Sequence, residues 1–163
     1  MNVNEKSFLS CIRENFGFLE ANHGYHMTVK LYSSGLWPDG SIEYSSILTI
    51  LNIGKDRSSF WVWIRPTGEP SIATLSLQSI VSFLTGKLPK DFPKGPVAPS
   101  QYEHVVEIYA DALRRHCMPF IRGDYSGWKD ILKFEMDQSK MRLGRGLPHD
   151  YFDDLERYID NHS

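Results

Sequence analysis

Cysteine is scarce in this sequence. Cys11 and Cys117 are the two cysteines among 163 residues, and they lie far apart with no metal-type spacing. A small disulfide scaffold is dense in cysteine, so this low count is typical of a reducing compartment instead. The N-terminus lacks the apolar core of a signal peptide, and no run reaches the ~18 apolar residues that a membrane span requires. We therefore expect a cytoplasmic protein that is not embedded in a membrane.

An excess of positive charge is also missing. The chain has 18 Lys and Arg against 20 Asp and Glu, a net charge of −2. Proteins that bind nucleic acid directly need a basic footprint, so we expect no such binding. Lys140, Arg142 and Arg145 form a local basic patch beside Gly144 and Gly146, but the Gly-Lys-Ser/Thr sequence of a phosphate loop is absent. We interpret this segment as a loop with basic surface residues.

Signatures of catalysis are absent as well. The sequence has no Gly-x-Ser-x-Gly elbow, His-Glu-x-x-His motif, dinucleotide fingerprint or kinase set. His116 and Cys117 are adjacent, and neighbours on a helix point about 100° apart, so they would not form a nucleophile–base pair. His23 and His26 could supply two metal ligands, but no further Cys or His completes the set that zinc needs. We expect neither a metal nor another cofactor.

Aromatic and β-branched residues define the predicted strands, which cover residues 26–32, 42–53 and 60–65. Turn-forming residues at 52–57 predict an antiparallel hairpin between the last two. Apolar residues at helical spacing predict an N-terminal helix over 4–16 and, downstream, helices over 77–84, 102–117, 128–141 and 150–159. Because strands and helices are segregated, we expect one α+β domain over 1–163. It has an antiparallel sheet of three to four strands, an N-terminal helix and a C-terminal helical half.

The segment Phe60-Trp61-Val62-Trp63-Ile64 is apolar on both faces of its strand. Alternation places Phe60, Val62 and Ile64 on one face and Trp61 and Trp63 on the other. Burying one indole removes about 150–250 Å² from water, which favours covering it. We expect the C-terminal helices to cover the tryptophans and the N-terminal helix to cover the other face. The alternative is an exposed aromatic patch for a partner.

Two acidic clusters are the candidate partner-binding residues. Glu103, Glu107 and Asp111 recur every four residues and form a ridge on one helix face. In residues 150–163, five acids against Arg157 give a net charge of −4. These acids are Asp150, Asp153, Asp154, Glu156 and Asp160. Such a ridge is also typical of the solvated face of an amphipathic helix, and carboxylates need a cleft and shifted pKa values for acid–base work.

Several short segments carry a resemblance to a known class of proteins. They are Phe16-Gly17-Phe18-Leu19, Ile42-Glu43-Tyr44-Ser45-Ser46, Asp56-Arg57 ahead of Trp61-Val62-Trp63-Ile64, Tyr109-Ala110-Asp111-Ala112-Leu113, and Ile121-Arg122-Gly123-Asp124 leading to Trp128. Spread over most of the chain, they resemble the small α+β immunity proteins of bacterial contact-dependent inhibition and polymorphic toxin systems. These are packing and turn positions, so the resemblance assigns no binding residue.

The resemblance implies a non-catalytic cytoplasmic inhibitor. Such a protein binds the C-terminal toxin domain of a sister-cell effector and blocks its active site or substrate groove. Acidic faces would complement the basic groove of a nuclease toxin, so on charge alone we expect both acidic clusters to contact it. We expect the chain itself to be a monomer.

Two alternatives remain at this point. One is an adaptor or a homodimer whose interface is the tryptophan face. The other is a small enzyme with an unfamiliar site that uses His116, His26 or the carboxylates, which requires a concave pocket lined by polar groups.

Overall fold

An antiparallel sheet forms the centre of the computed structural model, which describes residues 6–143 and 149–162. Its strands follow one another in space in the order of the sequence, so that β1 and β5 lie at the two edges. The strands are β1 His26–Leu31, β2 Gly40–Ser45, β3 Thr49–Asp56, β4 Ser59–Pro66 and β5 Leu75–Ser76.

Helices precede and follow the sheet. They are α1 Phe8–Phe16, α2 Phe18–His23, α3 Leu77–Thr85, α4 Tyr102–Ala112, α5 Met118–Ile121, α6 Trp128–Leu143 and α7 His149–Asn161. A π-helical turn, Leu113–Cys117, joins α4 to α5. This segregated order confirms the α+β class, and the buried apolar residues of the described chain form one core, as a single domain requires.

The sheet has five strands, so the expectation of three to four was wrong. Residues 42–53, predicted as one strand, form β2 and β3 around a tight turn at Ser46. The Ser46 Oγ accepts hydrogen bonds from the backbone N–H of Leu48 at 3.1 Å and of Thr49 at 3.0 Å. A serine hydroxyl that accepts hydrogen bonds from the backbone N–H groups two and three residues later favours a turn over a continuous strand. The fifth strand has two residues, too few to show a period.

The hairpin of β3 and β4 is confirmed, but its turn is shorter than predicted. The register pairs Asp56 with Ser59, so the turn lies at Arg57 and Ser58. Residues 52–56, predicted as turn, belong to β3 instead. Arg57 takes a left-handed conformation with φ of 53°. Strand β3 continues past the β-branched Ile53 as far as Asp56, and the chain turns at Arg57, which is exposed.

The N-terminal helix begins later than residue 4. Ser7 is its N-cap, and the Ser7 Oγ accepts a hydrogen bond from the Ser10 N–H at 3.2 Å. Serine is a preferred cap because it satisfies a backbone donor of the first turn. Asn4, where the prediction started the helix, lies outside the described residues.

One face of the sheet packs on the helices. Its inward side chains are almost completely buried and include Ile42, Tyr44, Leu51, Ile53, Val62 and Ile64. The register lines up Ile42, Ile53 and Val62 across three strands, which places them on the same face. Val62 and Ile64 are buried on one face of the sheet, as predicted, and among the helices α3 packs on β4.

An ion pair between the buried Lys55 and the half-buried Asp39 ties the rim of this core together. Lys55 is 4% exposed, and its Nζ lies 2.6 Å from the Asp39 Oδ1 and 5.3 Å from the ring centroid of Tyr102. Asp39 also accepts a hydrogen bond from the Arg57 N–H at 2.8 Å, at the left-handed turn residue. The carboxylate therefore connects the β1–β2 loop to the β3–β4 turn.

We expect Asp39→Asn to change how stability depends on pH. The Lys55 ammonium and the Arg57 N–H lower the pKa of Asp39. A depressed folded-state pKa contributes stability above the unfolded pKa of about 3.9, and this is lost as pH falls through the folded value. Thermal unfolding of wild type and variant should therefore differ most near neutral pH, and the difference should shrink only below about pH 4, as the pH falls toward the folded-state pKa of Asp39. Asp137→Asn, an exposed α6 position, is the control; a difference that persists in acid would contradict the account.

Candidate partner-binding groove on the open sheet face

Trp61 and Trp63 lie on the sheet face that the helices leave open. Trp63 is 44% exposed and Trp61 is partly exposed. The expectation that the C-terminal helices cover the pair was wrong. These helices reach the open face at its border, where Glu135 of α6 and Tyr151 of α7 line a groove beside the tryptophans. Tyr151 is itself 45% exposed there, whereas Leu155 of α7 is buried.

The Trp61 ring is positioned by strand β3. Gly54 is the cross-strand partner of Trp61, and a Cβ placed on Gly54 would come within 2.0 Å of the indole. The ring therefore packs directly on bare backbone. Its Nε1 donates a hydrogen bond to the Asn52 Oδ1 at 2.9 Å, which fixes the rotation of the ring. The orientation of Trp61 is thus set before any partner arrives, which lowers the entropy cost of binding.

Trp63 stacks on this fixed ring. The two indole centroids are 5.3 Å apart with an angle of 24° between the ring planes. Residues two apart on a strand share a face, so the stack follows from the sequence spacing. Such pairs contribute about 0.5–1.5 kcal/mol beyond the area that they bury. Trp63 is consequently an exposed indole that is already held in one orientation.

Two adjoining concave regions share the tryptophan pair, and together we call them the tryptophan groove. Their volumes are about 720 and 640 Å³, and both are lined by Trp61, Trp63, Ser76 and Glu135. The first also contacts α3 and α6 through Gln78, Ser79, Ser82, Phe134 and Gln138. The second crosses the strands along Ser41, Glu43, Ile50, Asn52 and Arg65.

The tryptophan groove carries charges of both signs. Glu43 and Arg65 line its strand side, whereas Glu135 and Lys87 line its helical side. Glu135 accepts a hydrogen bond from the Ser79 hydroxyl, which orients this carboxylate. Aromatic residues and arginine are enriched at the centre of protein–protein interfaces, and polar residues form the rim. The arrangement can therefore take an apolar or cationic side chain against the indoles and satisfy polar groups around it.

The α4 ridge lies away from the tryptophan groove. Glu107 and Asp111 are exposed, but the Glu103 Oε1 accepts a hydrogen bond from the Lys6 N–H at 3.1 Å and is half-buried. Asp111 lies 3.0 Å from the Arg115 guanidinium. No α4 residue lines either part of the groove as the described residues define it. The ridge is thus partly neutralised and is a separate surface.

The acidic residues of α7 belong to the helix that borders the groove. The described ones, Asp153, Asp154, Glu156 and Asp160, are exposed. Glu156 lies 2.9 Å from the Lys140 ammonium, and Asp154 lies 3.5 Å from the Arg157 guanidinium. The Asp150 side chain lies outside the described part of the chain. Tyr151 of the same helix lines the groove, so α7 contributes a residue to it and α4 does not.

The cysteines are poor candidates for nucleophilic chemistry. Both are buried, and burial raises the pKa of Cys11 to about 11 and the pKa of Cys117 to about 12. A reactive cysteine needs a thiolate near neutral pH, which these thiols do not supply. Within the described ranges, no group of three or more His, Cys, Asp or Glu side chains is placed to hold a metal ion.

Sequence reasoning missed Asn52 and Gly54, the residues that position Trp61. Both were interpreted as turn formers between two strands. A glycine inside a strand pattern can instead mark a close approach of another group to the backbone. That signal was present in the sequence, because Gly54 follows the β-branched run that ends at Ile53 and precedes two tryptophans on the next strand.

Comparisons with known proteins assign no family to the chain. No family model, no curated protein and no solved structure matches it. Across residues 6–143 and 149–162, no helix combines the length and apolar character needed to cross a membrane.

Proposed function

We propose that the protein is a non-catalytic immunity protein. It binds the C-terminal toxin domain of a bacterial effector in the cytoplasm and occludes the toxin's active site or substrate groove. The observation that carries this proposal is the stacked, partly exposed Trp61–Trp63 pair beside a groove on the open sheet face. The resemblance of the sequence segments to toxin-system immunity proteins supports the same function.

The energetics of the pair favour a binding role. The exposed 44% of Trp63 is about 70–110 Å² of surface, and covering it is worth roughly 2–3 kcal/mol at 25 cal/mol per Å². Tryptophan is among the residues that most often dominate the affinity of protein interfaces. Because Gly54 and Asn52 already hold the Trp61 ring, little rotamer freedom is lost on binding.

The acidic residues of α7 would add selectivity and speed. A nuclease toxin must carry a basic groove for its polyanionic substrate, and an acidic helix beside the tryptophans complements that charge. Such complementarity acts mainly on the rate of association and on the choice of partner. The α4 ridge has the same sign but lies outside the groove, so we place it second among the contacts.

We expect Asp154→Lys to slow association with the toxin domain by roughly threefold to tenfold at low salt, with a weaker effect at high salt. Glu107→Lys makes the same charge change on α4, the contact that we rank second, and should slow association by no more than about twofold. Stopped-flow or surface-based kinetics at several salt concentrations measure both. An unchanged rate for Asp154→Lys would remove α7 from the interface.

A pull-down from native lysate with the tagged chain tests the proposal. We expect mass spectrometry to identify one toxin domain, retained in equal proportion to the tagged chain and released by salt. Co-expression of that domain with the chain should permit growth. If an expressed toxin is not retained and cells are not protected, the proposed function is wrong.

One observation favours a second candidate, an adaptor or homodimer that uses the tryptophan face. Trp63 is exposed on a surface that nothing in the described chain covers. In this candidate a second copy covers the pair, and tryptophan emission shifts to shorter wavelength as protein concentration rises. Emission that is independent of concentration would argue against it.

A further inference from the structure

Strand β1 forms one edge of the sheet. It pairs with β2 along six residues, and no other described strand lies beside it. The opposite edge is the two-residue strand β5. An edge strand presents backbone N–H and C=O groups that can template another strand. Of the two edges, β1 therefore offers the longer row of backbone groups to another strand.

The ladder geometry identifies the outward groups. In antiparallel strands, pairs that exchange hydrogen bonds alternate with pairs that do not. The Tyr32 N–H donates to the Asp39 oxygen at 2.7 Å, one step beyond β1 in the same register. Even-numbered residues of β1 therefore point their backbone groups toward β2. The outward groups belong to the odd-numbered residues Met27, Val29 and Leu31.

The turn between β2 and β3 gives an independent check. The Ser46 N–H donates to the Thr49 oxygen at 2.9 Å, so the even-numbered residues of β2 are the ones that exchange hydrogen bonds with β3. The odd-numbered residues of β2 must then bond to β1. Their register partners are His26, Thr28 and Lys30. Both hydrogen bonds thus give the same alternation.

The side chains of the outward residues are also incompletely covered. Met27, Val29 and Leu31 share the face that carries the core, since the register pairs Val29 with Ile42. Nevertheless, Val29 is 37% exposed and Leu31 is 42% exposed. A strand added along this edge would pair the backbone groups and extend the apolar layer with its own side chains.

We propose that a second copy of this chain occupies the edge, with the two β1 strands antiparallel about a two-fold axis at Val29. Closed dimers are two-fold symmetric, and their surfaces must be self-complementary. In this register Val29 faces Val29 of the second copy, and Met27 faces Leu31 of the second copy. All outward backbone groups meet one another, and one sheet runs through both copies.

The charges agree with this register. It places Lys30 opposite Thr28 and His26 opposite Tyr32, so no like charges face each other. An axis at Thr28 would place His26 opposite Lys30. It would also leave Leu31 without a partner in the second β1 strand. Cross-strand partners of like charge are destabilising, and apolar partners are stabilising. The axis at Val29 is therefore the favoured one.

The dimer should be weak. Pairing of six-residue strands covers far less than the ~1,200 Å² of a standard stable interface. We expect a monomer at about 10 µM and a substantial dimer fraction near 500 µM, which corresponds to a dissociation constant of roughly 0.1–1 mM. This inference does not depend on the toxin-binding proposal, because β1 and the Trp63 strand are different parts of the sheet.

Sedimentation equilibrium and amide exchange by NMR on the wild-type chain test the proposal. With rising concentration the mass should approach that of two copies, and the amides of Met27, Val29 and Leu31 should gain protection. The amides of Thr28 and Lys30 should be protected at every concentration, because they bond to β2. A monomer up to about 1 mM, or a dimer in which the odd-numbered amides stay unprotected, would overturn the proposal.

Variants test the register. Val29→Pro removes an outward donor, which a sheet edge tolerates, and should abolish the dimer. Met27→Lys and Leu31→Glu should each weaken it about threefold to tenfold, whereas the double variant should recover affinity because the two positions face each other. Leu84→Lys, at an α3 position that is 47% exposed, is the matched control and should have no effect. A dimer that survives the β1 changes but is lost in Trp63→Ala would assign self-association to the tryptophan face and overturn the proposal.

Discussion

Replacing Trp63 with alanine is expected to weaken binding of the toxin domain by about thirtyfold or more. The exposed ring is the largest apolar group that the groove offers, and removing it forfeits roughly 2 kcal/mol or more of interface free energy. The effect should fall mainly on the dissociation rate, because association is governed by charge. Titration calorimetry with the purified toxin domain measures the change directly.

Two further variants make this result specific. Trp63→Phe keeps a ring against Trp61 and should retain most of the affinity. Ile47→Ala removes another exposed apolar side chain, 91% accessible between β2 and β3, and should leave affinity within about twofold, since surface positions outside an interface contribute little. Equal affinities for wild type and Trp63→Ala would mean that the tryptophan groove is not the docking surface.

Gly54→Ala is expected to displace the Trp61 ring and destabilise the fold by about 1–3 kcal/mol. The new Cβ would lie 2.0 Å from the indole, so the ring must swing away from β3. The hydrogen bond to Asn52 and the stack with Trp63 would both be lost. We expect a lower urea midpoint, a red-shifted tryptophan emission and weaker toxin binding in the same variant.

Gly95→Ala is the matched control for this substitution. Gly95 lies in the loop before α4 and does not have a positive φ. A Cβ added to it would have no atom within 4 Å. Its stability should therefore equal that of wild type or slightly exceed it, because alanine restricts the unfolded chain. If Gly54→Ala unfolds and fluoresces like Gly95→Ala, the close packing of Trp61 on the backbone is not a feature of the protein in solution.

The parts of the fold that are visible in sequence are those that local chemistry decides. The β3–β4 hairpin follows from alternating apolar residues, and α3, α4 and α6 follow from apolar residues at helical spacing. Residues 42–53 form two strands because the Ser46 hydroxyl accepts hydrogen bonds from the backbone that follows it. The β-rich composition of this segment predicts a single strand and gives no sign of that turn. A local hydrogen bond thus overrode strand propensity.

The site depends on tertiary structure and is harder to predict. Alternation correctly separates Trp61 and Trp63 from Val62 and Ile64, but it does not say which face the helices cover. The covered face proves to be the one with the branched side chains, and the indoles remain open. In the same way, helical spacing places the acids on the surface, but only the tertiary packing of α7 brings one of its residues, Tyr151, to the groove.

Growth of cells that express the toxin domain recovered with this chain tests the central claim most directly. The toxin would be co-expressed with wild type or with the double variant Trp61→Ala/Trp63→Ala, at matched levels of folded protein. We predict growth with wild type and arrest with the double variant. Arrest with both proteins would contradict the immunity function, and growth with both would contradict the role of the tryptophan groove.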